Sequence, residues 1–221
     1  MTTSRAFLPG LAAIILIVAA AGPADGQTKP QAKEEARKVE SSKEIAVVET
    51  SLGTFEFELY RNDAPKTVEN FVKLAQKKFF DGMRVHRVAK GFVIQTGDDK
   101  SKDSAKLNEW GSGGKSIYGK DFADELNPAT PSYKEGYKKG VVAMANRGPN
   151  TNSSQFFVML SDLDRMPKNY TIFGKVIKGL DVVEKIGEVE IIPGMGPTDG
   201  RPKEDVMLKK VAITKVPLKA K

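Results

Sequence analysis

Two strand-like runs, an apolar one and one in which apolar and polar residues alternate, begin the predicted folded domain. The first, EIAVVET, covers residues 44–50, and the second, GTFEFELY, covers residues 53–60. In the second run glutamates separate Phe55, Phe57 and Leu59, so one face of a strand is apolar and the other polar. The short Ser-Leu-Gly link between the runs is typical of a β-hairpin.

A helical period replaces this alternation directly after the hairpin. Val68, Phe71, Val72 and Ala75 fall at i, i+3, i+4 and i+7, which places them on one face of a helix. Pro65 suits the first turn of that helix, because its missing N–H would have no helical partner there in any case. The pattern predicts a helix that covers a core.

A second helix and six further strands follow along the chain. The helix is predicted over GLDVVEKIGEV, residues 179–189, and the segments between the strands are rich in glycine, proline, asparagine and serine. The strand-like runs are MRVHRV, FVIQTG, GVVAMA, QFFVML, YTIFGKVI and VMLKKVAITKV. Eight short strands and two helices favour a mainly β fold, an antiparallel barrel or sandwich.

The composition excludes several kinds of chemistry. The 221 residues include no cysteine, so disulfides, thiolate nucleophiles and cysteine-based zinc sites are ruled out. His86 is the sole histidine, which also rules out a histidine-rich metal site. Composition thus excludes metal sites built on cysteine or on several histidines.

The net charge of +7 raises nucleic acid as a partner, but its distribution argues against that class. Most of the positive excess lies in the first 43 and the last seven residues, and no basic block is longer than two residues. Nucleic-acid-binding proteins normally gather their cations into a patch. We therefore expect no nucleic-acid partner.

The first 27 residues have the layout of a secretory signal peptide. Arg5 gives a positive start, an unbroken apolar run covers residues 11–21, and small residues surround its end. A cleaved signal predicts an exported protein, periplasmic in a cell with two membranes and secreted in a cell with one. The alternative is an uncleaved membrane anchor, although this stretch of about fifteen residues is shorter than the ~20 of a spanning helix.

The remaining boundaries follow from composition. Residues 28–43 are polar, of mixed charge and without apolar periodicity, which predicts a linker. The folded domain is expected at residues 44–217, followed by a short basic tail at 218–221. Without an anchor, the mature protein would have no membrane span.

One candidate for the chemistry is VHRVAKGFVIQTGD, residues 85–98. It places His86 and Arg87 in one strand, with Phe92 and Gln95 in the next run. An arginine within a strand is usually a solvated or ion-paired residue on the outer face. The segment alone is therefore compatible with an ordinary structural strand.

A second candidate is AMANRGPNTNSSQFFVML, residues 143–160, in which a turn-rich loop separates two strands. Gln155 lies on an otherwise apolar face, so it needs a hydrogen-bond partner if that face is buried. The glycine-rich residues 111–125 do not have the P-loop spacing. No serine lies in a G-x-S-x-G elbow that could form a triad with His86.

Taken together, these segments resemble the cyclophilins over roughly residues 44–216. The similarity is carried by APKTVENFVKLA, VHRVAKGFVIQTGD, GGKSIYGKDFADE, VVAMANRGPNTNSSQFF and YTIFGKVIKGLDVVEKI, in the family's order. The resemblance implies a closed eight-stranded antiparallel β-barrel capped by two α-helices. It also implies a peptidyl-prolyl cis-trans isomerase that assists protein folding, acts on proline-containing polypeptides and needs neither a metal nor a cofactor. We expect a monomer.

Carried over residue by residue, the resemblance gives Arg87 the catalytic position. The substrate-binding positions fall on His86, Phe92, Val93, Gln95, Ala145, Asn146, Arg147, Gln155, Phe157, Met166 and Tyr170. Strict alternation separates Phe92 from Gln95, so Phe92 joins the groove only if the strand is irregular near Gly91, for example at a bulge. His86 is expected to be structural, because the reaction needs no proton transfer.

The implied mechanism stabilises a twisted amide. Rotation about a peptide bond has a barrier of ~18–20 kcal/mol, because resonance gives the C–N bond double-bond character. Arg87 is expected to donate a hydrogen bond to the proline nitrogen, which regains its lone pair in the twisted state, while Gln95 holds the guanidinium. Phe92, Phe157 and Met166 would hold the proline ring.

The groove would also bind the substrate chain through the Asn146 backbone and a substrate carbonyl through the Tyr170 hydroxyl. Arg165 stands where many cyclophilins carry tryptophan, a change that bears on cyclosporin sensitivity more than on activity. Residues 98–110 are longer than the family loop and could shape substrate choice, contact a partner or be a tolerated insertion. Two alternatives remain: a module that binds proline-containing segments with little turnover, and an assembly factor for exported proteins.

Overall fold

The structure, a computed structural model, describes residues 42–217. The predicted signal peptide or anchor at 1–27, the basic tail at 218–221 and the predicted linker up to residue 41 lie outside the described residues. The first strand begins at Ser42, two residues before the expected start of the domain.

Within residues 42–217, ten strands form one antiparallel sheet. They are β1 (Ser42–Thr50), β2 (Gly53–Leu59), β3 (Arg87–Ala89), β4 (Val93–Thr96), β5 (Val141–Met144), β6 (Phe156–Met159), β7 (Ile172–Lys178), β8 (Ile191–Gly196), β9 (Asp199–Pro202) and β10 (Leu208–Pro217). Their order across the sheet is β10-β1-β2-β7-β5-β6-β4-β3-β9-β8. Each of the eight predicted strand runs overlaps one of these strands.

The mainly β, antiparallel fold is confirmed, but the closed eight-stranded barrel is not. Among the described residues the sheet has ten strands, and its end strands, β10 and β8, do not pair. The additional strands β8 and β9 form a hairpin whose glycine- and proline-rich sequence lacks the alternation that predicts strands. An isolated antiparallel bridge between Arg84 and Met207 links the residues before β3 to those before β10.

In the described part of the chain three α-helices accompany the sheet: α1 (Pro65–Gln76), α2 (Pro131–Glu135) and α3 (Leu180–Gly187). The two predicted helices correspond to α1 and α3, and α2 is a short additional turn. Two 3₁₀ turns, Asp99–Lys102 and Ser104–Glu109, lie in the long segment after β4. No helix within residues 42–217 has the length and hydropathy needed to cross a membrane.

A carboxylate from a distant loop caps the start of α1. The Glu125 oxygens accept hydrogen bonds from the backbone N–H groups of Lys66 and Thr67 at 3.0 and 2.9 Å. The first N–H groups of a helix have no partner within the helix, and a negative charge also suits the helix dipole there. Later in the helix, the buried Asn70 side chain binds Ser153 and Ile117, which connects α1 to the loop before β6.

The main core is aromatic and lies on one face of the sheet. The rings of Phe57, Phe71, Phe156 and Phe173 have centroid separations between 5.4 and 6.4 Å, and all four are buried. Several of these pairs meet edge to face, the arrangement that aromatic quadrupoles favour. Phe71 brings the apolar face of α1 into this cluster.

A second, smaller apolar cluster covers the opposite face of β4, β5, β6 and β7. Val93 and Phe157 belong to it, whereas their chain neighbours Ile94 and Phe156 belong to the main core. This is the alternation of side chains along a strand. The face with the smaller cluster carries the candidate site and is called the outer face below.

Candidate active site

A row of side chains crosses four adjacent strands on the outer face. Arg87 in β3 is the Cα partner of Gln95 in β4, Gln95 is that of Phe157 in β6, and Phe157 is that of Ala143 in β5. Partners on adjacent strands project from the same face of a sheet. The strand register therefore aligns a guanidinium, an amide and an aromatic ring.

The Arg87 guanidinium is fixed from two sides. Its Nε and Nη2 donate to the two carboxylate oxygens of Asp199 at 2.9 and 2.7 Å, and its Nη1 donates to Gln95 Oε1 at 3.0 Å. The Arg87 side chain is 25% exposed, so one side stays open to a ligand. Two-point pairing with a carboxylate fixes the plane of a guanidinium in a way that a lysine could not reproduce.

Asp199 is the partner of Arg87 that the sequence analysis missed. It is the first residue of β9, which pairs with β3, and Ala89 is its Cα partner. Asp199 lies 112 residues after Arg87, in a Pro-Thr-Asp-Gly stretch that resembles an ordinary turn. Only the pairing of β9 with β3 could have identified it.

A chain of amide hydrogen bonds continues from Gln95 away from Arg87. Gln95 Nε2 donates to Gln155 Oε1 at 3.0 Å, and Gln155 Nε2 donates to the carbonyls of Gly111 and Gly113 at 2.9 and 2.8 Å. Gln155 is buried, and these bonds are the partners that a buried amide requires. The chain orients Gln95, which in turn orients Arg87.

Phe92, Phe157 and Met166 form a shallow apolar pocket next to Arg87, called the seat below. Phe157 and Tyr170 pack edge to face with ring centroids 5.5 Å apart, and Phe92 and Met166 pack, partly exposed, against the same outer cluster. The Arg87 Cζ atom lies 5.9 Å from the Phe92 ring centroid. Val93 is almost fully buried and supports the seat from below, so it does not form part of its open surface.

Phe92 reaches the outer face through a turn. Its N–H donates to the Ala89 carbonyl at 2.9 Å, which closes the hairpin between β3 and β4, and Gly91 within this turn has φ = 68°. The irregularity expected near Gly91 is therefore a hairpin turn and not a bulge within β4. A residue with a side chain would be strained at that φ.

The loop after β5 forms another border of the site. The Ala145 N–H donates to the Gln155 carbonyl at 2.9 Å, and the Asn146 side chain donates to the Asn169 carbonyl at 2.9 Å. The described residues form no hydrogen bond to the Asn146 backbone N–H or carbonyl. Arg147 is exposed at the rim and pairs with Asp121 at 2.8 Å.

His86 lies behind Arg87 and is buried. Neither of its ring nitrogens has a hydrogen-bond partner among the described residues. Burial lowers the pKa of His86 to about 4, with the Arg87 charge acting in the same direction and the Asp98 carboxylate opposing it. A neutral, buried imidazole fits the structural role expected for this residue.

We expect His86 to make the stability of the protein depend on pH. Because its pKa is lowered on folding, the unfolded chain binds more protons between about pH 6.5 and 4, and stability falls as the pH decreases through that window. The contribution is about 3 kcal/mol on the linkage relation. Urea unfolding at pH 7, 5.5 and 4.5 measures it.

The matched variant is His86→Leu, which removes the titrating group and no hydrogen bond. Its free energy of unfolding should change much less than that of the parent between pH 7 and 5.5, a range in which few carboxylates titrate. Parallel curves for parent and variant would contradict this assignment.

The arrangement has the groups needed to bind an amide and a proline ring. Among residues 42–217 no group of histidine, aspartate or glutamate side chains could hold a metal ion. One fixed cation, an apolar seat and a free backbone amide lie within one face. This matches a reaction that breaks no covalent bond.

Residues 45–213 match the family model for cyclophilin type peptidyl-prolyl cis-trans isomerase/CLD. The chain belongs to the cyclophilin family. The peptidyl-prolyl cis-trans isomerase-like 1 protein of Neurospora crassa is 41% identical over 170 residues, covering 76% of this chain and 93% of that protein. The Homo sapiens protein of the same name is 41% identical over 163 residues, covering 74% and 88%.

Solved structures agree with this family. A Cryptosporidium parvum cyclophilin type isomerase superposes with a TM-score of 0.67 and 30% identity, covering 79% of this chain and 99% of that one. A structure of the same protein in the presence of the dipeptide Ala-Pro gives a TM-score of 0.65, covering 77% and 98%. The cyclophilin is thus a member of an enzyme class, the peptidyl-prolyl cis-trans isomerases.

Proposed function

We propose that this cyclophilin accelerates rotation about Xaa-Pro bonds in exported polypeptides and that Arg87 is its catalytic residue. The observation that carries the proposal is the Arg87 guanidinium, fixed by Asp199 and Gln95 beside the apolar seat. Its substrates are proline-containing polypeptides, and it acts as a monomer that assists their folding.

Catalysis requires stronger binding of the twisted amide than of the planar one. When the Xaa-Pro bond twists, the proline nitrogen becomes a hydrogen-bond acceptor, and Arg87 is an always-protonated donor whose position is already set. No reorganisation of the arginine is then needed during the reaction. Each 1.4 kcal/mol of such preferential binding gives about a tenfold rate increase.

The other site residues hold the two sides of the rotating bond. The ring of proline fits the seat of Phe92, Phe157 and Met166, which excludes water from one side of the amide. The free Asn146 backbone groups can pair with the extended substrate chain, and Tyr170 can donate to a substrate carbonyl. Fixing one side while the other turns lowers the entropy cost of reaching the twisted state.

The exported context rests on the first 27 residues, with their positive start, apolar run and small residues. We propose that this segment is removed and that the mature chain works in the periplasm or outside the cell. The Ala-Pro dipeptide present with the Cryptosporidium parvum relative is the smallest form of the substrate chemistry proposed here.

One preparation tests both parts of the proposal. The full chain, with a C-terminal tag, is produced in a bacterium with two membranes, and the periplasmic extract is separated from membranes and cytoplasm. We expect the tagged protein in the periplasmic extract, shortened by about 15–30 residues at its N-terminus. Recovery of full-length protein in the membrane fraction would instead identify the segment as an anchor.

The purified protein is then added to a short Ala-Pro peptide, and cis/trans exchange is followed by NMR. Uncatalysed exchange takes ~10–100 s, too slow to give exchange cross-peaks between the cis and trans signals, so the appearance of such cross-peaks reports catalysis. Enhanced exchange supports the isomerase. Saturable binding without any rate increase would overturn it in favour of a module that holds proline-containing segments.

A further inference from the structure

A second cavity adjoins the site on the side of Arg87 away from Asn146. It has a volume of about 550 Å³ and lies between the segment 107–112 and the β8–β9 hairpin. His86, Arg87 and Gln95 line its inner end, so it is continuous with the proposed active site. Its outer walls carry Leu107, Trp110, Ile192 and Met195.

Trp110 forms a rigid wall of this cavity. Its indole N–H donates to the Asp103 carbonyl at 3.0 Å, and the Arg84 guanidinium lies 5.3 Å from the ring centroid. Arg84 is itself held by Asp205 at 2.5 Å and by the Ser101 carbonyl at 2.6 Å. An aromatic wall fixed in this way binds a partner without losing much side-chain entropy.

The base of the segment that carries Trp110 is also fixed. Asp98 is fully buried, and its carboxylate accepts hydrogen bonds from the backbone N–H groups of Lys100, Gly111 and Gly113. Gln155 binds the carbonyls of the same two glycines. The long 98–110 segment is therefore attached to the amide chain that orients Arg87 and is not a loose surface insertion.

The opposite wall is the exposed face of the β8–β9 hairpin. Met195 is 73% exposed and Ile192 40% exposed, so both side chains are available for contact with a ligand. The two strands approach so closely that a Cβ on Gly200 would lie 2.0 Å from the Ile192 carbonyl oxygen. The hairpin thus presents a flexible methionine on a tightly built support, a combination suited to varied apolar side chains.

The charges in the cavity favour one kind of occupant. Arg87 is neutralised by Asp199, whereas Arg201, which also lines the cavity, forms no ion pair within residues 42–217. A positively charged side chain would therefore meet an uncompensated guanidinium. Apolar walls with a net positive charge suit an aromatic or large aliphatic side chain and disfavour lysine.

We propose that this cavity is a subsite that binds a large apolar or aromatic side chain of the substrate near the proline. The proposal rests on the proposed isomerase function. Arg87 and Gln95 line the inner end of the cavity and also border the proline seat, so an extended substrate chain that passes Arg87 brings a residue a few positions from the proline to the cavity.

Position-scanning peptides test the subsite. Each peptide carries one Ala-Pro bond, with phenylalanine, lysine or alanine placed two, three or four residues away on either side. For the parent we expect phenylalanine to raise kcat/KM about tenfold over alanine at one of these positions, and lysine to lower it there. In Trp110→Ala, and to a smaller degree in Met195→Ser, the phenylalanine preference should be lost.

The readout is the ratio of kcat/KM for the phenylalanine peptide to kcat/KM for the alanine peptide within each variant, so a change in overall activity does not affect it. Lys106→Ala, an exposed change in the same segment outside the cavity, should keep the parental ratio. If Trp110→Ala does not fold, Met195→Ser at the exposed hairpin tip decides the question. Equal kcat/KM for phenylalanine, lysine and alanine at every position in the parent would overturn the proposed subsite. An unchanged phenylalanine preference in both Trp110→Ala and Met195→Ser would also overturn it.

The scan also separates this inference from the proposed function. If the parent accelerates every peptide equally, the isomerase stands and the subsite fails. If it binds the peptides without accelerating exchange, the isomerase fails, and the same ratio taken from Kd values decides the subsite.

Discussion

Replacing Arg87 by alanine is expected to lower kcat/KM for an Ala-Pro peptide by about 10²–10³-fold, the loss seen when one preorganised donor to a transition state is removed. Binding of the peptide should weaken far less, because the seat of Phe92, Phe157 and Met166 remains. A selective loss in kcat identifies an interaction made mainly in the transition state. NMR exchange for turnover and calorimetry for binding give the two numbers.

The stability of Arg87→Ala should change little, because partly exposed ion pairs contribute only ~0–1 kcal/mol. Arg61→Ala is the matched control. It removes an arginine that is also ion-paired, with Glu44, in another part of the structure, and it should leave kcat/KM unchanged. Equal activity of the parent and Arg87→Ala would contradict the catalytic assignment.

Two companion variants separate charge from geometry. Arg87→Lys keeps the charge but cannot pair with Asp199 and Gln95 at once, so it should recover little of the activity. Asp199→Asn keeps the size of the side chain and weakens the hold on the guanidinium, so we expect a loss of roughly tenfold in kcat. A larger loss for Asp199→Asn than for Arg87→Ala would place the catalytic donor elsewhere.

The parts of the fold that were predicted correctly are those whose side chains alternate or repeat clearly. Phe55, Phe57 and Leu59 identify β2, and all three are buried in the structure. Val68 and Phe71 identify the buried face of α1 in the same way. A strand or helix that buries one face needs apolar residues at the matching period, so the sequence alone is sufficient to predict both elements.

The β8–β9 hairpin was missed because its residues obey a different constraint. Ile192 and Met195 face solvent, and Gly200 is needed for the close approach of two backbones. No alternating apolar face is present, so nothing in the local sequence distinguishes these strands from a loop. The expected count of eight strands failed for the same reason, since this hairpin adds two strands beside β3. Closure of the barrel is not confirmed either, because the end strands β10 and β8 do not pair in the described residues.

The candidate site likewise contains some residues that could be predicted from the sequence and others that could not. The pairing of Arg87 with Gln95 follows from two strands joined by a short turn, and the resemblance to cyclophilins named both residues. Asp199 and the carbonyls of Gly111 and Gly113 could not be found, because their roles depend on contacts across the sheet and on backbone atoms. Backbone acceptors have no sequence signature at all.

The adjacent residues Phe156 and Phe157 provide the second large effect, because they lie on opposite faces of β6. Phe156 is fully buried among Phe57, Phe71 and Phe173, so Phe156→Ala should destabilise the protein by about 3–5 kcal/mol. The outer face is untouched, so kcat/KM of the folded fraction should stay near the parental value. Urea unfolding and exchange rates at low temperature give these quantities.

Phe157→Ala should give the opposite pattern. Phe157 packs edge to face on Tyr170 in the smaller outer cluster, so we expect a smaller loss of stability than for Phe156→Ala. Its ring forms the floor of the proline seat, however, and kcat/KM should fall by about 10–100-fold as apolar contact with the proline ring is lost. Two neighbouring residues of one type would then separate folding from function by the face they occupy. If both variants lost activity in proportion to stability, the outer face of β6 would not be the substrate surface.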